Sequence, residues 1–331
     1  MKVLVTGGAG FIGSHLCDLL HDRGYFVCVL DDLSTGSYSN IAQLEGKDRF
    51  EIVIDSVLNR SLMETLVKGC DQVFHLASAV GVQLIIKEPV KTIETIVEGT
   101  SIVLSHARRY RKKVLITSTS EVYGKGSKVP FSESDDTVQG ATTTRRWAYA
   151  AAKAMDEFLA LAHWYETRLS VVCIRLFNTV GPRQSGQYGM VVPRFVEQAL
   201  RGDPIIVFGD GEQSRCFAHV KDVVEALANI MSCPEACGKV INIGNPEEIT
   251  INQLAERVNE LCGSDSEIKH IPYEEAYVEG FEDMARRVPD ISLAKRLIGF
   301  EPRLRLDDIL LSIIEYFGKE KGLPLRKRDK R

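Results

Sequence analysis

Tyr149 and Lys153 are four residues apart in the run Trp147-Ala148-Tyr149-Ala150-Ala151-Ala152-Lys153. In a helix that spacing puts both side chains on one face. An ammonium held near a phenol favours the phenolate and lowers a pKa that is ordinarily about 10, so the pair reads as acid/base machinery. By itself the pair also suits an ordinary amphipathic helix. A second chemical signal stands at the start of the chain, in Gly7-Gly8-Ala9-Gly10-Phe11-Ile12-Gly13. Glycines there permit a tight turn and close backbone approach to a pyrophosphate, whose charge then meets the N–H groups of a following helix.

Such a turn needs a strand before it and a helix after it. Lys2 to Thr6 supplies the apolar run, and Ser14 to Arg23 the helical period. A second strand, Tyr25 to Leu30, ends at Asp31 with Asp32 beside it, where an acid accepts hydrogen bonds from an adenosine ribose. No arginine follows to take a 2′-phosphate, so NAD is favoured over NADP. Further strand-like runs are Phe50 to Ile54, Gln72 to Leu76, Lys113 to Thr117 and Ser170 to Arg175. They alternate with helical stretches near 61–68, 90–108 and 148–166. This alternation specifies a parallel, doubly wound α/β sheet, whose ligands gather at the strands' carboxyl ends. That edge carries Asp55-Ser56, Leu76-Ala77-Ser78 and Ser118-Thr119-Ser120-Glu121.

Past Asn178 the rhythm breaks into loops such as Gly181-Pro182-Arg183 and Gly209-Asp210-Gly211, with helices expected near 193–201, 221–231, 250–262 and 305–318. We expect a nucleotide-binding domain over 1–178, to which parts of 215–245 return, and a smaller mixed α/β lobe over 179–331. The segment 319–331 reads as a basic, solvated tail.

The 331 residues are 44% hydrophobic and 26% charged, with a formal net charge of −4. That balance suits a soluble protein and argues against a general role on nucleic acid or membrane surfaces. No apolar run approaches the roughly 18 residues of a membrane span, and residues 1–6 read as a strand, so a cytoplasmic location is expected. The eight cysteines lack paired CxxC spacing, which fits reduced thiols and no metal site.

Taken in order, several motifs resemble extended short-chain dehydrogenases/reductases that modify nucleotide sugars. They are Gly7 to Gly13, Asp31, His75-Leu76-Ala77, Thr119, Tyr149-xxx-Lys153, Asn178 with Gly181-Pro182-Arg183, Gly209-Asp210-Gly211 with Arg215, and Arg287-xx-Asp290. The resemblance spans nearly the whole chain and implies a Rossmann-type sheet with a C-terminal substrate lobe. It further implies that Tyr149 takes a proton from a sugar 4-hydroxyl as hydride leaves C4 for NAD⁺, with Lys153 on the nicotinamide ribose and Thr119 bonded to the same sugar oxygen. Gly7, Gly10, Phe11, Ile12, Gly13, Asp31, Asp32, Asp55, Ser56, Leu76, Ala77 and Ser78 would hold the cofactor. Val80, Asn178, Arg215 and Arg287 would hold the substrate, the last three on its diphosphate. A homodimer through a four-helix bundle is implied for the helices at 90–108 and 148–166.

A 4-keto sugar is common to C4-epimerases, 4,6-dehydratases and UDP-glucuronate decarboxylases. Here Ser120-Glu121 stands where the usual glucose dehydratases carry Asp-Glu and epimerases a small residue with Ser or Thr. Ser-Glu, with Arg145-Arg146-Trp147 before Tyr149 and Arg287 before Pro289, is most similar to the decarboxylases. The expected product is UDP-xylose or its 4-keto precursor, with UDP-sugar C4 epimerisation the alternative and a 4,6-dehydratase or a non-catalytic NAD-binding regulator behind it. Several residues depart from the decarboxylase pattern. Ser78-Ala79-Val80-Gly81-Val82 is epimerase-like, Ile96 stands near a usual Asn, and Cys216 replaces an acid after Arg215. His219, beside the arginine motif, reads as a structural histidine.

Overall fold

The computed structural model describes residues 1–78, 88–186, 190–276, 284, 286–320 and 322–323. Val80, the Gln187 to Gly189 stretch and most of the basic tail lie outside the described residues.

Six strands of the first half, β1 (Lys2–Thr6), β2 (Phe26–Asp31), β3 (Phe50–Ile54), β4 (Gln72–His75), β5 (Lys113–Thr119) and β6 (Val171–Leu176), lie in one parallel sheet. The order is β3-β2-β1-β4-β5-β6, and a seventh strand, β11 (Val240–Ile243), extends it beyond β6. The order reverses between β1 and β4, which opens a crevice at their carboxyl ends. Strand positions follow the sequence expectation to within a residue or two. The exception is β11: the sequence expectation returns parts of 215–245 to this domain but places no strand there.

Apolar residues at successive strand positions reflect burial on both faces. Val3 and Val5 face a core with Leu16, Cys17 and Leu20 of α1 (Phe11–Asp22), while Leu4 faces the opposite one. The second core takes Met63 and Val67 of α2 (Arg60–Lys68), Ile102 to Leu104 of α3 (Pro89–Tyr110) and Ala160 of α4 (Trp147–Thr167). Each fully buried aliphatic side chain of this kind contributes about 1.5–3 kcal/mol.

The later half builds a separate apolar centre. Helices α5 (Val191–Arg201), α7 (Ile251–Cys262) and α8 (Leu306–Glu320) surround Ile205 and Val207 of β8 (Ile205–Phe208). Short pairs join β7 (Thr179–Val180) to β10 (Ala218–His219), β9 (Ser214–Cys216) to β12 (Glu248–Thr250), and β8 to β13 (Ile268–Ile271). Between them α6 (Val220–Ser232) packs into the first core, beside α1. His219 caps α6: its ring accepts from Lys221 N at 3.0 Å and meets Ser312 Oγ at 3.1 Å. All eight cysteines are free thiols, six of them buried. No described helix is long and apolar enough to cross a membrane.

Candidate active site

The glycine turn sits at the β1–β4 crevice and is packed without slack. A Cβ on Gly13 would meet Gly7 O at 2.1 Å, and one on Gly7, whose φ is +74°, would meet Ala77 N at 2.7 Å. Ala77 thus lies directly on the turn, beside Leu76, whose N–H bonds to Thr6 O at 3.0 Å. Gly10 begins α1 and no side chain caps it, which leaves the first-turn N–H groups of Phe11, Ile12 and Gly13 for an anion.

Asp31 closes β2 and is 8% exposed. Burial pushes its pKa up, and hydrogen bonds from Leu33 N and Ala9 N, each 2.9 Å, draw it back. Asp55 follows at the end of β3, its N–H on Asp31 O at 3.2 Å; its carboxylate accepts from Ser56 N and Asn59 Nδ2. The Ser56 hydroxyl accepts from Leu58 N at 3.2 Å. Ser78 is set in the crevice with a buried hydroxyl that has no hydrogen-bond partner among the described residues. Asp32 differs from its neighbours: it is exposed, and its carboxylate accepts from Ser34 N at 2.9 Å. Close-packed glycines, an uncapped helix start and a buried acid over the next strand fit the pyrophosphate and ribose of a dinucleotide.

Tyr149 and Lys153 do share a face of α4, and both are buried. Their relation corrects the sequence reading. Lys153 Nζ donates to Thr117 O at 2.8 Å and stands 3.3 Å from Asp156 Oδ2. A buried ammonium needs acceptors, and the strand carbonyl and Asp156 offer better ones than a neutral phenol. The Tyr149 pKa is raised rather than lowered. Burial drives it up, the Glu121 and Asp156 charges add to this, and the Thr119 hydroxyl and Arg287 oppose it.

Thr119 ends β5 and turns the chain into a short 3₁₀ helix, Ser120–Tyr123, by accepting from Glu121 N at 3.2 Å. The turn carries Glu121 to two arginines, with Oε2 at 2.7 Å from Arg146 and Oε1 at 3.3 Å from Arg287. Burial would raise the Glu121 pKa, but Arg146 and Arg287, with Arg215 farther off, hold it down to about 2. Arg287 therefore bears on Glu121, whereas the family resemblance implies a place on the diphosphate. Ser120 is 1% exposed, and its hydroxyl has no partner among the described residues. Arg215 is buried on β9 and donates to Ser214 O at 2.7 Å. Asn178, whose φ is +28°, spends its amide on Cys216 O at 2.9 Å, tying the end of β6 to β9.

Two groups escaped the sequence reading. Arg146 had entered only within an Arg-Trp resemblance, yet its guanidinium is buried and lies 5.2 Å from the Trp147 ring centroid. Beneath the site, Ser118 donates to Glu157, which pairs with Arg175 at 2.8 Å. Arg175 lies over Tyr123, whose hydroxyl donates to Asn242 Oδ1 at 2.8 Å. Asn242 in turn bonds Phe131 O and Asp290 O, which fixes the segment bearing Arg287. Buried Asn and Arg far apart in sequence give no local spacing signal. Among the described residues no group of three His, Cys, Asp or Glu could hold a metal.

Residues 4–313 match the family model of GDP-mannose 4,6 dehydratase. The chain belongs to that family. Among relatives, it is 41% identical over 317 residues to UDP-N-acetyl-alpha-D-glucosaminuronate decarboxylase of Bacillus cytotoxicus, covering 96% of this chain and 97% of that protein. It is 37% identical to UDP-glucuronic acid decarboxylase 1 of Xenopus tropicalis, over 96% of this chain and 72% of that protein. Among solved structures, UDP-glucuronic acid 4-epimerase of Bacillus cereus in complex with UDP-glucuronic acid and NAD superposes with a TM-score of 0.87. The two are 28% identical, over 96% of this chain and 99% of that one. This GDP-mannose 4,6 dehydratase family member is thus similar in sequence to decarboxylases and in structure to an epimerase.

Proposed function

We propose that this chain is an NAD-dependent enzyme that oxidises a UDP-linked hexuronate at C4 and releases its carboxylate as CO₂. The observation that carries the reading is the Ser120-Glu121 turn beside Tyr149, with Glu121 set between the buried Arg146 and Arg287. The curated relatives, whose names are those of hexuronate decarboxylases, support it.

Bound NAD⁺ would supply the hydride acceptor, held by the glycine turn, Asp31 and Ala77. Tyr149 takes the C4 hydroxyl proton, with the Thr119 hydroxyl orienting the same oxygen. A uronate oxidised at C4 is a β-keto acid. The C5–C6 bond breaks, its electron pair moves toward the C4 ketone, CO₂ leaves, and a proton is delivered to C5. Arg146 and Arg287 face that region with guanidinium groups suited to a carboxylate. The Glu121 carboxylate, ionised and clasped, orients them, and the Ser120 hydroxyl is at hand for the substrate carboxylate.

A second reading, C4 epimerisation of the same sugar, draws on the structural likeness to the Bacillus cereus epimerase. Both are tested by incubating the protein with UDP-glucuronate and, in parallel, UDP-N-acetylglucosaminuronate, following CO₂ and sugar products by NMR. CO₂ with a pentose product is expected from at least one. A galacto-configured uronate without CO₂ from either would establish epimerisation instead.

The chain is further read as a homodimer through α3 and α4. Phe158 (67% exposed), Met155 and Tyr165 share one face of α4, and Val90 and Ile93 are exposed near the start of α3. A patch of large apolar side chains on two adjacent helices marks an interface. Phe158→Asp should shift the protein from dimer to monomer in light scattering coupled to size-exclusion chromatography. A parent protein that is already monomeric would end this reading.

A further inference from the structure

The proton-transfer scheme uses Tyr149 and Thr119, with Lys153 on the same face of α4, yet a second carboxylate lies buried beside Lys153. Asp156 is one turn along α4 from Lys153, with 1% of its side chain exposed against 4% for Lys153. Burying an ionised group is costly unless partners repay it. Asp156 Oδ2 has Lys153 at 3.3 Å, while Oδ1 completes no hydrogen bond of ordinary geometry among the described residues.

Burial pushes the Asp156 pKa up, and the Lys153 charge, with the Thr100 hydroxyl of α3, opposes that push. Thr100 Oγ1 lies 3.1 Å from His75 Nε2, and His75 Nδ1 lies 2.7 Å from Thr6 Oγ1. Thr6 Oγ1 also accepts from Ala77 N at 3.3 Å. Thr6, His75 and Thr100 are all buried. The direction of this chain follows from its ends. Ala77 N–H can only donate, and the carboxylate can only accept. The Thr6 hydrogen therefore goes to His75 Nδ1, and the ring carries its proton on Nε2, toward Thr100. Burial and the Lys153 charge keep that imidazole neutral, its pKa lowered to about 3. A line of buried donors and acceptors thus runs from Ala77, at the glycine turn, through Thr6 and His75 to Thr100, on the side of the carboxylate beside Lys153.

We propose that Asp156 is a positioning residue for proton transfer at Tyr149: it holds the Lys153 ammonium on the Tyr149 face of α4. This rests on the reading of Tyr149 as the group that takes the C4 proton. Tyr149 is faced by Glu121 and Thr119 from the end of β5, by Arg287 from the later segment, and by Asp156 and Lys153 from its own helix. Asp156 is faced by Lys153 and Glu157 on α4, Thr100 on α3 and Cys173 on β6, with Glu157 itself paired to Arg175. Removing the Asp156 charge, which opposes ionisation of the phenol, also leaves the Lys153 charge uncompensated near it, so both effects ease that ionisation.

Asp156→Asn should move the acid limb of kcat for UDP-hexuronate turnover to lower pH by about half a unit or more. The phenolate absorbance titration of Tyr149, obtained as the difference between each protein and its Tyr149→Phe counterpart, should move the same way. Asp156→Ala, used if the amide does not fold, must shift both in that direction, and Asp156→Glu should stay near the parent. A fall in kcat with both titrations unmoved, or an alkaline shift, overturns the proposal. Activity retained in Tyr149→Phe would instead refute the role of Tyr149, and the absorbance titration keeps the two failures apart.

Discussion

Tyr149→Phe is expected to lower turnover by about 10²–10⁴-fold, the range for loss of a positioned acid/base group. Phe keeps the ring that fills the site and removes only the hydroxyl, so cofactor content and thermal stability should stay close to those of the parent. Tyr149 is 8% exposed, and its ionisation is opposed by burial and by the charges of Glu121 and Asp156. The proton is therefore held tightly until substrate and cofactor alter the balance. The measurement is nicotinamide reduction in a single turnover with UDP-hexuronate. A variant that still reduces the cofactor at the parental rate would remove Tyr149 from the reaction.

The second large effect is expected at Glu121. Glu121→Gln leaves two buried guanidinium groups without the carboxylate that lies 2.7 Å from one and 3.3 Å from the other. Breaking a buried pair costs about 3–5 kcal/mol, and the lower end applies because the Glu121 side chain is 16% exposed. C4 oxidation should survive while CO₂ release falls by about 10²-fold, since the chemistry at C5 loses its orienting anion. The pH dependence has a definite sign. Because the folded pKa is depressed to about 2 from 4.5, the carboxylate stabilises the fold fully above its unfolded value and loses that contribution as pH falls through the folded one. The stability gap between parent and Glu121→Gln, read from denaturant midpoints, should therefore be constant near neutrality and shrink in acid. Unimpaired CO₂ release in the variant would sink the assignment of Glu121.

Much of this was legible in the sequence because it is written locally. The glycine turn, the strands that flank it, Asp31 and the Tyr-Lys spacing are each set by residues within a turn or a strand of one another. What stayed hidden depends on contacts between distant segments. Lys153 was read as a partner for Tyr149, since the spacing puts both on one face. Its actual acceptors, Thr117 O and Asp156, follow from how α4 lies on β5. Arg287 was read as a phosphate ligand because arginine suits phosphate; that it reaches Glu121 depends on the Phe131, Asn242 and Asp290 contacts, which no periodicity encodes. Strand β11 was missed since its four residues, Val240–Ile243, sit among loop-like neighbours and gain meaning only beside β6.

That late strand bears on how the molecule comes into being. While the chain is synthesised, β6 emerges well before the strand that will pair with it, and the whole of α5, β8 and α6 must follow first. Until then the β6 edge, a run of Val171, Val172, Cys173 and Ile174, is an unpaired apolar template of the kind that recruits other chains. The ribosome-bound intermediate is thus the vulnerable species, and slow elongation between β6 and β11 is where aggregation would compete most strongly with folding.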